Sequence, residues 1–422
     1  MVTQKFGSRE LQSAILYIVG YAVLFSASYI MLFNFSEGAQ QSGDLLRFTA
    51  LCGLIATIAG KALLGSITRY PGVETNSYVL PTFSATFGIL LLFLILGRME
   101  YSRALLLSSY ACAIIWSYIW NILPGRRRTL RIGIVPHGNY PLLQQLDGVT
   151  WVLLEHPDQD VTTLNAVALD LRSDPGDIWE RRLADYALSG LPVYHSKHLI
   201  ESMTGRVELE TLSENSFGTL SPMSAYMTIK YAIDWVMALF SIFILAPLLV
   251  LIAVLIRLDS AGPSIFRQTR IGYRGVPFTV YKFRTMTTKP LAGTDDRSQA
   301  MTQTGDKRIT RLGAVLRKSR LDELPQLFNV LKGEMSWIGP RPEADVLSRW
   351  YETEIAFYRY RHTVRPGITG WAQVNQGHVS EIEDVLSKLH YDFYYIKNYS
   401  PWLDILIVVR TVGTMISGFG SK

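Results

Sequence analysis

Apolar and polar positions divide this chain into stretches of different rhythm. Residues 11–33 are uncharged and predominantly apolar, about the 20 or so that a helix needs to cross a bilayer core. The run is too long for the core of a signal peptide and no small-residue cleavage pattern follows closely, so it is read as retained. Similar runs follow at 45–67, 78–96 and 105–123. Arg47 opens the second and Lys61 interrupts it, so both cations must reach an interface or face a neighbouring helix. The pattern predicts a four-helix transmembrane region over residues 1–125.

Beyond it the rhythm changes. Short β-rich runs at 130–135, 151–154, 166–171 and 191–194 alternate with helix-like stretches such as 178–188, which predicts a small α/β domain with a mainly parallel sheet over 126–212. Its first turn, Ile134-Val135-Pro136-His137-Gly138-Asn139, lacks the G-x-G-x-x-G spacing of a dinucleotide site, so a regulatory or packing role is expected of it. His137 and His195 have no metal-ligand spacing and read as ordinary loop residues. A polar linker at 210–221 leads to an uncharged run at 236–256 with Pro247 near its centre. As a plain helix this run would span the membrane; broken at Pro247 it would enter and leave on one side, provided the freed backbone groups find partners. Both readings stand on the residues alone. Residues 401–416 form a last apolar helix, suited either to the headgroup region or to a core, and Tyr391, Tyr394, Tyr395 and Tyr399 before it suit an interfacial belt or a tyrosine-rich core equally.

Charge sharpens this division. The basic residues Lys5 and Arg9, Lys61 and Arg69, and Arg126-Arg127-Arg128 with Arg131 alternate with a loop at 34–43 that has no Lys or Arg. The positive-inside tendency therefore puts the N-terminus and everything after Arg126 in the cytoplasm, with Arg47, Arg98 and Arg103 weighing the other way. A hydrophobic content of 49% and a formal charge of +6 accord with a membrane protein whose excess cations lie in loops. No basic run with interleaved aromatics and no zinc spacing appears, so nucleic acid is not an expected partner. Cys52 and Cys112 both lie in apolar segments and form no disulfide framework or thiolate site.

Candidate chemistry concentrates in residues 321–342. Asp322 and Glu323 stand side by side, and Leu324, Leu327, Phe328 and Leu331 recur at the spacing of one apolar helix face behind them. Pro340-Arg341-Pro342 closes the stretch as a stiff turn that presents a guanidinium. Alone, the carboxylate pair reads as a helix start, since Ser319-x-x-Asp322 has capping-box spacing and acidic residues favour the first turn. Neighbouring cations shift the balance. After the glycine turn at Gly272 to Gly275, Lys282 and Arg284 share one face of an alternating strand; Arg270 precedes that turn, and Arg365-Pro366-Gly367 supplies a second rigid cationic turn. Carboxylates among such cations suit a phosphate site, where they attack phosphorus or hold Mg²⁺ against phosphate oxygens.

Taken together, Arg270-x-Gly272, Lys282-Phe-Arg284-Thr-Met286, Leu321-Asp-Glu-Leu-Pro-Gln-Leu-x-Asn329-Val-Leu-x-Gly333, Gly339-Pro-Arg-Pro342 and Pro366-Gly-Ile-Thr-Gly-Trp-Ala-Gln373 resemble the bacterial monotopic phosphoglycosyl transferases. The resemblance runs from about Ser224 to the C-terminus, and the upstream region resembles the large undecaprenyl-phosphate sugar-phosphate transferases that initiate exopolysaccharide and O-antigen synthesis. It implies a fold of membrane α plus α/β: a four-helix bundle, a Rossmann-like α/β domain, and a catalytic domain over 213–422 with interfacial helices and a re-entrant helix at about 230–257, broken at Pro247. Members often carry serine before that proline, where this chain has Ala246.

The implied activity is transfer of a sugar-1-phosphate from a UDP-sugar to undecaprenyl phosphate. Asp322 would attack the β-phosphorus and release UMP; Glu323 would place Mg²⁺; Arg341 would hold the phosphates, with Lys282, Arg284, Arg270 and Arg365 as further phosphate ligands. UDP-glucose or UDP-galactose is the donor the resemblance favours. The expected setting is the bacterial inner membrane with catalysis on the cytoplasmic face, and the expected partners are both substrates, the lipid bilayer and, as one option, a second copy in a homodimer. A phosphohydrolase that uses the same aspartate, and a non-enzymatic scaffold of polysaccharide assembly, remain alternatives.

Overall fold

The computed structural model describes residues 3–35, 40–67, 75–122, 130–138, 140–170, 172–208, 224–287, 308–376 and 382–417. The arginine cluster at 126–128 and the linker at 210–221 lie outside them. The chain forms two compact units, Met1–Thr204 and Gly205–Lys422.

In the first unit, α1 (Thr3–Phe35), α2 (Gln40–Ile67), α3 (Thr75–Leu96) and α4 (Arg103–Ile122) occupy the four predicted apolar runs. All four, and a fifth helix in the second unit, are long and apolar enough to cross a membrane. Outward side chains such as Val23, Ile89 and Leu107 are each more than 60% exposed, while Tyr17, Tyr21, Leu64, Phe83 and Leu105 are buried between helices. A water-exposed bundle would show the opposite pattern, so this is the architecture of a membrane protein. Several polar groups inside are paired: Tyr21 shares a hydrogen bond with Ser109 at 2.7 Å, and Lys61 lies 4.8 Å from the ring centre of Tyr17 and 5.9 Å from that of Trp120. Lys61 thus faces partner helices, where aromatic faces compensate its charge.

The rest of this unit is a four-stranded parallel sheet in the order β2 (Val149–Leu153), β1 (Leu130–Ile134), β3 (Ala166–Leu169), β4 (Val193–His195). Ile132 pairs with Trp151 on one side and Ala166 on the other. Helix α6 (Asp177–Leu188) covers one face through Trp179, Leu183 and Tyr186, while Leu143 of α5 (Pro141–Gln144) and Leu199 of α7 (Ser196–Thr204) cover the other. Covered faces explain why the strands read as continuous apolar runs.

The second unit is built along α8 (Ser224–Asp259), a 36-residue helix. At 1.5 Å per residue it is about 54 Å long. The helix continues through Pro247. A proline removes one hydrogen bond and crowds the carbonyl four residues earlier; here packing on both sides of it keeps the flanking turns helical. On the N-terminal side Ala238, Ile242 and Leu245 pack with Phe278, Val280, Leu327 and Val330. On the C-terminal side Leu248, Leu249, Ile252 and Ile256 pack with Phe283, Leu312, Leu316 and Leu321. The antiparallel hairpin of β5 (Ile265–Ile271) and β6 (Pro277–Phe283) therefore lies beside the helix, with Arg270 opposite Phe278 and Phe266 opposite Lys282.

Near its N-terminal end α8 carries a buried ionic group. Lys230 is 3.2 Å from both Asp234 and Asp404, and Asp404 also accepts from Tyr226 at 2.6 Å and Tyr395 at 2.9 Å. Asp404 belongs to the last helix, α14 (Pro401–Ser417), which buries Leu403, Leu406 and Ile407 and exposes Val408, Val412 and Met415. One face of that helix packs into the core, as one reading expected, and the opposite face is apolar and exposed. The tyrosines before it belong to the core: Tyr391, Tyr395 and Tyr399 are all buried.

Candidate active site

Asp322 and Glu323 lie on a 3-10 turn (Leu321–Gln326), where an α-helix was expected. Arg320 opens the turn in the left-handed region at φ 58°, an uncommon conformation for a residue with a side chain. The capping box is not formed, since Ser319 Oγ donates back to the carbonyls of Val315 and Leu316 at the end of α9 (Arg311–Lys318). The carboxylates are thus free of a capping duty. After the turn, α10 (Leu327–Leu331) buries Leu327 and Val330, whereas Phe328 is 45% exposed and leaves the apolar face that its spacing suggested. Fully buried Asn329 fastens this element to β6: its amide donates to the Thr279 carbonyl at 2.7 Å and its oxygen accepts from the Tyr281 N–H at 3.1 Å. Lys282, one residue on, is thereby set against the carboxylates.

Glu323 is the centre of the cluster. One oxygen accepts from Arg341 at 2.9 Å and Lys282 at 3.3 Å, with Arg320 at 3.8 Å; the other accepts from the Gln326 amide at 3.0 Å and from Arg341 at 3.4 Å. Burial alone would raise its pKa, but Arg341 and Lys282 outweigh burial and hold it well below the usual carboxylate range. Burial pushes the Lys282 ammonium down to about 8 despite the pull of Glu323. Asp322 differs from its neighbour. Burial, then the charge of Glu323, raises its pKa, and its Oδ1 is buried without a hydrogen-bond donor. Two adjacent carboxylates have been driven apart in character, one neutralised by cations and one left bare, the arrangement that separates roles at functional sites.

Arg341 reaches Glu323 from a turn where two of the sequence's motif segments, 339–342 and 366–373, meet. Strand β7 (Ser336–Ile338) pairs in parallel with β8 (Gly367–Thr369). A Cβ on Gly339 would lie 2.4 Å from the Arg365 carbonyl oxygen, and one on Gly367 would lie 2.1 Å from the Gly339 nitrogen, so only glycine permits this approach.

The structure brings together Asp322, Glu323, Lys282 and Arg341. Arg270 stands behind them, donating to the Pro342 carbonyl and to Gln268. Arg284 and Arg365 are elsewhere. Arg284 follows the end of β6 and donates to the carbonyls of Ser260 at 2.6 Å and Ala261 at 3.0 Å, capping the negative end of α8. Strict alternation put it on the face of Lys282, but that face meets α8 at this point. The Arg365 guanidinium stacks 3.8 Å from the Tyr231 ring centre, against the same helix. Arg320, Gln326 and Arg317 were missed by sequence reasoning. Arg317 donates to Thr285 at 2.9 Å, and its charge acts on Asp322. The signal of the two arginines was present, as cations two and five residues before Asp322.

No group of three or more His, Cys, Asp or Glu side chains is arranged for a metal among the described residues. Mg²⁺ commonly takes one or two carboxylates plus substrate phosphates. Asp322 and Glu323 are two carboxylates of that kind: the Asp322 Oδ1 has no donor, while Glu323 is paired with Arg341 and Lys282.

A half-buried carboxylate whose Oδ1 has no donor, beside a cation-ringed partner on a turn packed near a long apolar helix, suits a membrane protein that handles phosphate esters. Comparison with known proteins agrees. The bacterial sugar transferase family profile matches residues 225–418. The chain is 42% identical over 381 residues to a UDP-N-acetylgalactosamine-undecaprenyl-phosphate N-acetylgalactosaminephosphotransferase of Aeromonas hydrophila, covering 90% of this chain and 89% of that relative. It is 43% identical over 190 residues to a UDP-glucose:undecaprenyl-phosphate glucose-1-phosphate transferase of Caulobacter vibrioides, covering 44% of this chain and 70% of the relative. A protein of the same name from Escherichia coli (strain K12) is 42% identical over 196 residues, covering 46% and 41%. This chain belongs to the bacterial sugar transferase family.

Proposed function

We propose that this chain transfers a sugar-1-phosphate from a UDP-sugar to undecaprenyl phosphate, giving polyprenyl-diphosphate sugar and UMP, as the first membrane step of an exopolysaccharide or O-antigen. The observation that carries the reading is the bare, buried Asp322 oxygen beside Glu323 and its cations. The Asp322 carboxylate attacks the β-phosphorus; the new oxygen–phosphorus bond forms as the bond from the β-phosphorus to the bridging oxygen breaks, and UMP leaves with that oxygen. An oxygen of the lipid phosphate then attacks the same phosphorus and the aspartyl carboxylate departs unchanged. Burial supports this role, because a carboxylate of raised pKa is a stronger nucleophile once ionised. Lys282 and Arg341 leave Glu323 for the incoming diphosphate, which offers charge-assisted bonds of the same kind. Bound Mg²⁺ would neutralise charge developing on the phosphate oxygens.

Placement on the cytoplasmic face of the inner membrane rests on α8. Its apolar contacts with the second unit extend on both sides of Pro247, from Ala238 to Ile256. If α8 crossed upright, the packed hairpin with Lys282 and the carboxylates would be drawn into a hydrocarbon layer about 30 Å thick, where charges are costly. A helix bent at Pro247, so that it dips into one leaflet and keeps both ends on one side, avoids this; the proline, which lacks an N–H and crowds the preceding turn, is where such a bend would fall. UDP-sugars are then within reach.

The test is release of UMP from a panel of UDP-sugars with and without undecaprenyl phosphate. UDP-N-acetylgalactosamine heads the panel because the relative that matches most of this chain is named for it. Lipid-dependent UMP release is the expected result, and excess chelator should suppress it. Release that ignores the lipid would indicate a phosphohydrolase instead, and no release from any donor would overturn the reading.

A further inference from the structure

We infer that Arg361 and Asp392 are positioning residues for Arg341, a buried ion pair that fixes the turn from which Arg341 reaches Glu323. The inference rests on the sugar-phosphate transfer just proposed. Pro340 and Pro342 flank Arg341, and neither has an N–H, so the turn can be held at those positions only through its carbonyls. Three consecutive carbonyls are in fact engaged. Pro340 accepts from the Gly367 N–H at 3.0 Å, Arg341 from the Arg361 guanidinium at 2.8 Å, and Pro342 from Arg270.

Of these donors Arg361 is the one that acts on Arg341 itself. It lies on the 3-10 segment Tyr358–Thr363, is 4% exposed, and is fixed from two further directions. Its Nη2 is 2.9 Å from Asp392 of α13 (Ile382–Lys397), which is 1% exposed, and its Nη1 donates to the Tyr358 hydroxyl at 2.7 Å. Glu343 stands 3.9 Å away and is itself paired with Lys388. Two cations and two carboxylates are thus buried behind a single turn. Apolar side chains of equal volume would commonly be as stable or more so, which leaves geometry as the reason for an ionic cluster here. The line runs from α13 through Asp392 and Arg361 to the Arg341 backbone, and from the Arg341 side chain to Glu323.

A double replacement separates positioning from stability. In Arg361→Met with Asp392→Leu the pair is removed whole, so no buried charge of that pair is left alone, but the donor to the Arg341 carbonyl is gone. With the full detergent-solubilised chain, we expect a melting temperature within about 5 °C of the parent and a kcat/KM for the UDP-sugar lowered about tenfold to a hundredfold, as displacement of a phosphate ligand by an ångström or so would give. The KM for undecaprenyl phosphate should change less than threefold. A double variant with parental kcat/KM overturns the inference. Should the double variant not fold, Arg361→Lys decides: its ammonium keeps the charge beside Asp392 without a guanidinium's spread of donors, and undiminished kcat/KM in that variant, or failure of both to fold, likewise overturns it. An inactive parent would instead overturn the functional reading on which the inference rests.

Discussion

Glu323→Gln tests whether the cation cluster holds the empty site together or only waits for substrate. The glutamine keeps the volume and can still meet Gln326, but it removes the one charge shared by Arg341 at 2.9 Å and Lys282 at 3.3 Å. Both cations are largely buried, with side chains 25% and 15% exposed, while Arg320 at 40% exposure and 3.8 Å adds little. Removing one partner of a buried ion pair costs about 3–5 kcal/mol, mostly as the desolvation of the charges left behind. For a unit of roughly 220 residues this lowers the melting temperature by about 6–20 °C. The assay is thermal unfolding of the full chain followed by tryptophan fluorescence. The pH dependence has a definite sign. Glu323 titrates well below its unfolded value, so its stabilisation is complete above the unfolded pKa of about 4.3 and is lost as pH falls through the lower folded pKa. The gap between parent and variant should be constant from neutrality down to about pH 5 and narrow below about 4. Saturating UDP should narrow it at neutral pH, since a diphosphate supplies the missing negative charge. A gap below about 2 °C at pH 7, or one that widens in acid, would refute the reasoning.

Asp322→Asn should lose lipid-dependent UMP release by about 10⁴-fold or more, and labelled UDP-sugar without lipid should mark the parent protein but not the variant; label on the variant would remove Asp322 as nucleophile. The same substitution should leave stability near pH 7 unchanged or raised, because a carboxylate whose folded pKa is elevated costs stability once ionised, and a clear fall in melting temperature would count against that. On the alkaline side, kcat/KM for the UDP-sugar should decline as Lys282 loses its proton near pH 8, and Lys282→Arg should move that limb upward; a flat profile to pH 9.5 would discard the lysine as a phosphate ligand. Thr228→Cys and Asp259→Cys, toward opposite ends of α8, should both react with an impermeant thiol reagent in inverted membrane vesicles and neither in intact spheroplasts. Labelling from opposite sides would show that α8 spans.

What the sequence made legible follows the range of its signals. Apolar runs gave the four N-terminal helices, and alternation gave the parallel sheet, because lipid and a two-sided core each impose a pattern on neighbouring residues. Asp322, Glu323, Lys282 and Arg341 were also legible, as charges on rigid local motifs. Arg284 and Arg365 were not, because their guanidinia are claimed by α8 and the residues that end it, 24 and 134 residues earlier in the chain. Periodicity could not reveal that Ser260 and Ala261 offer carbonyls to Arg284, or that Tyr231 offers a ring to Arg365. The same limit hid Arg361, whose hold on the Arg341 carbonyl spans 20 residues.

These two arginines join the membrane segment to the carboxylates. Lys282 and Arg284 are two residues apart, one bound to Glu323 and the other to the C-terminal end of α8, so any shift of the helix end must be felt at the β6 terminus that carries Lys282. At the other end Asp234 of α8 accepts from Ser336 and its carbonyl accepts from Trp337 at 3.1 Å, both on the strand that leads into Arg341. Each cation that holds Glu323 is therefore tied to a different half of the same apolar helix. On the proposed reaction, lipid around α8 and phosphate at Asp322 would act on one mechanically continuous element, since the carboxylates lie beside the helix rather than at the end of a flexible tether. A chain that must bring a lipid-borne phosphate to a nucleophile gains from that arrangement, because immersion of the helix itself sets the height of the reacting groups.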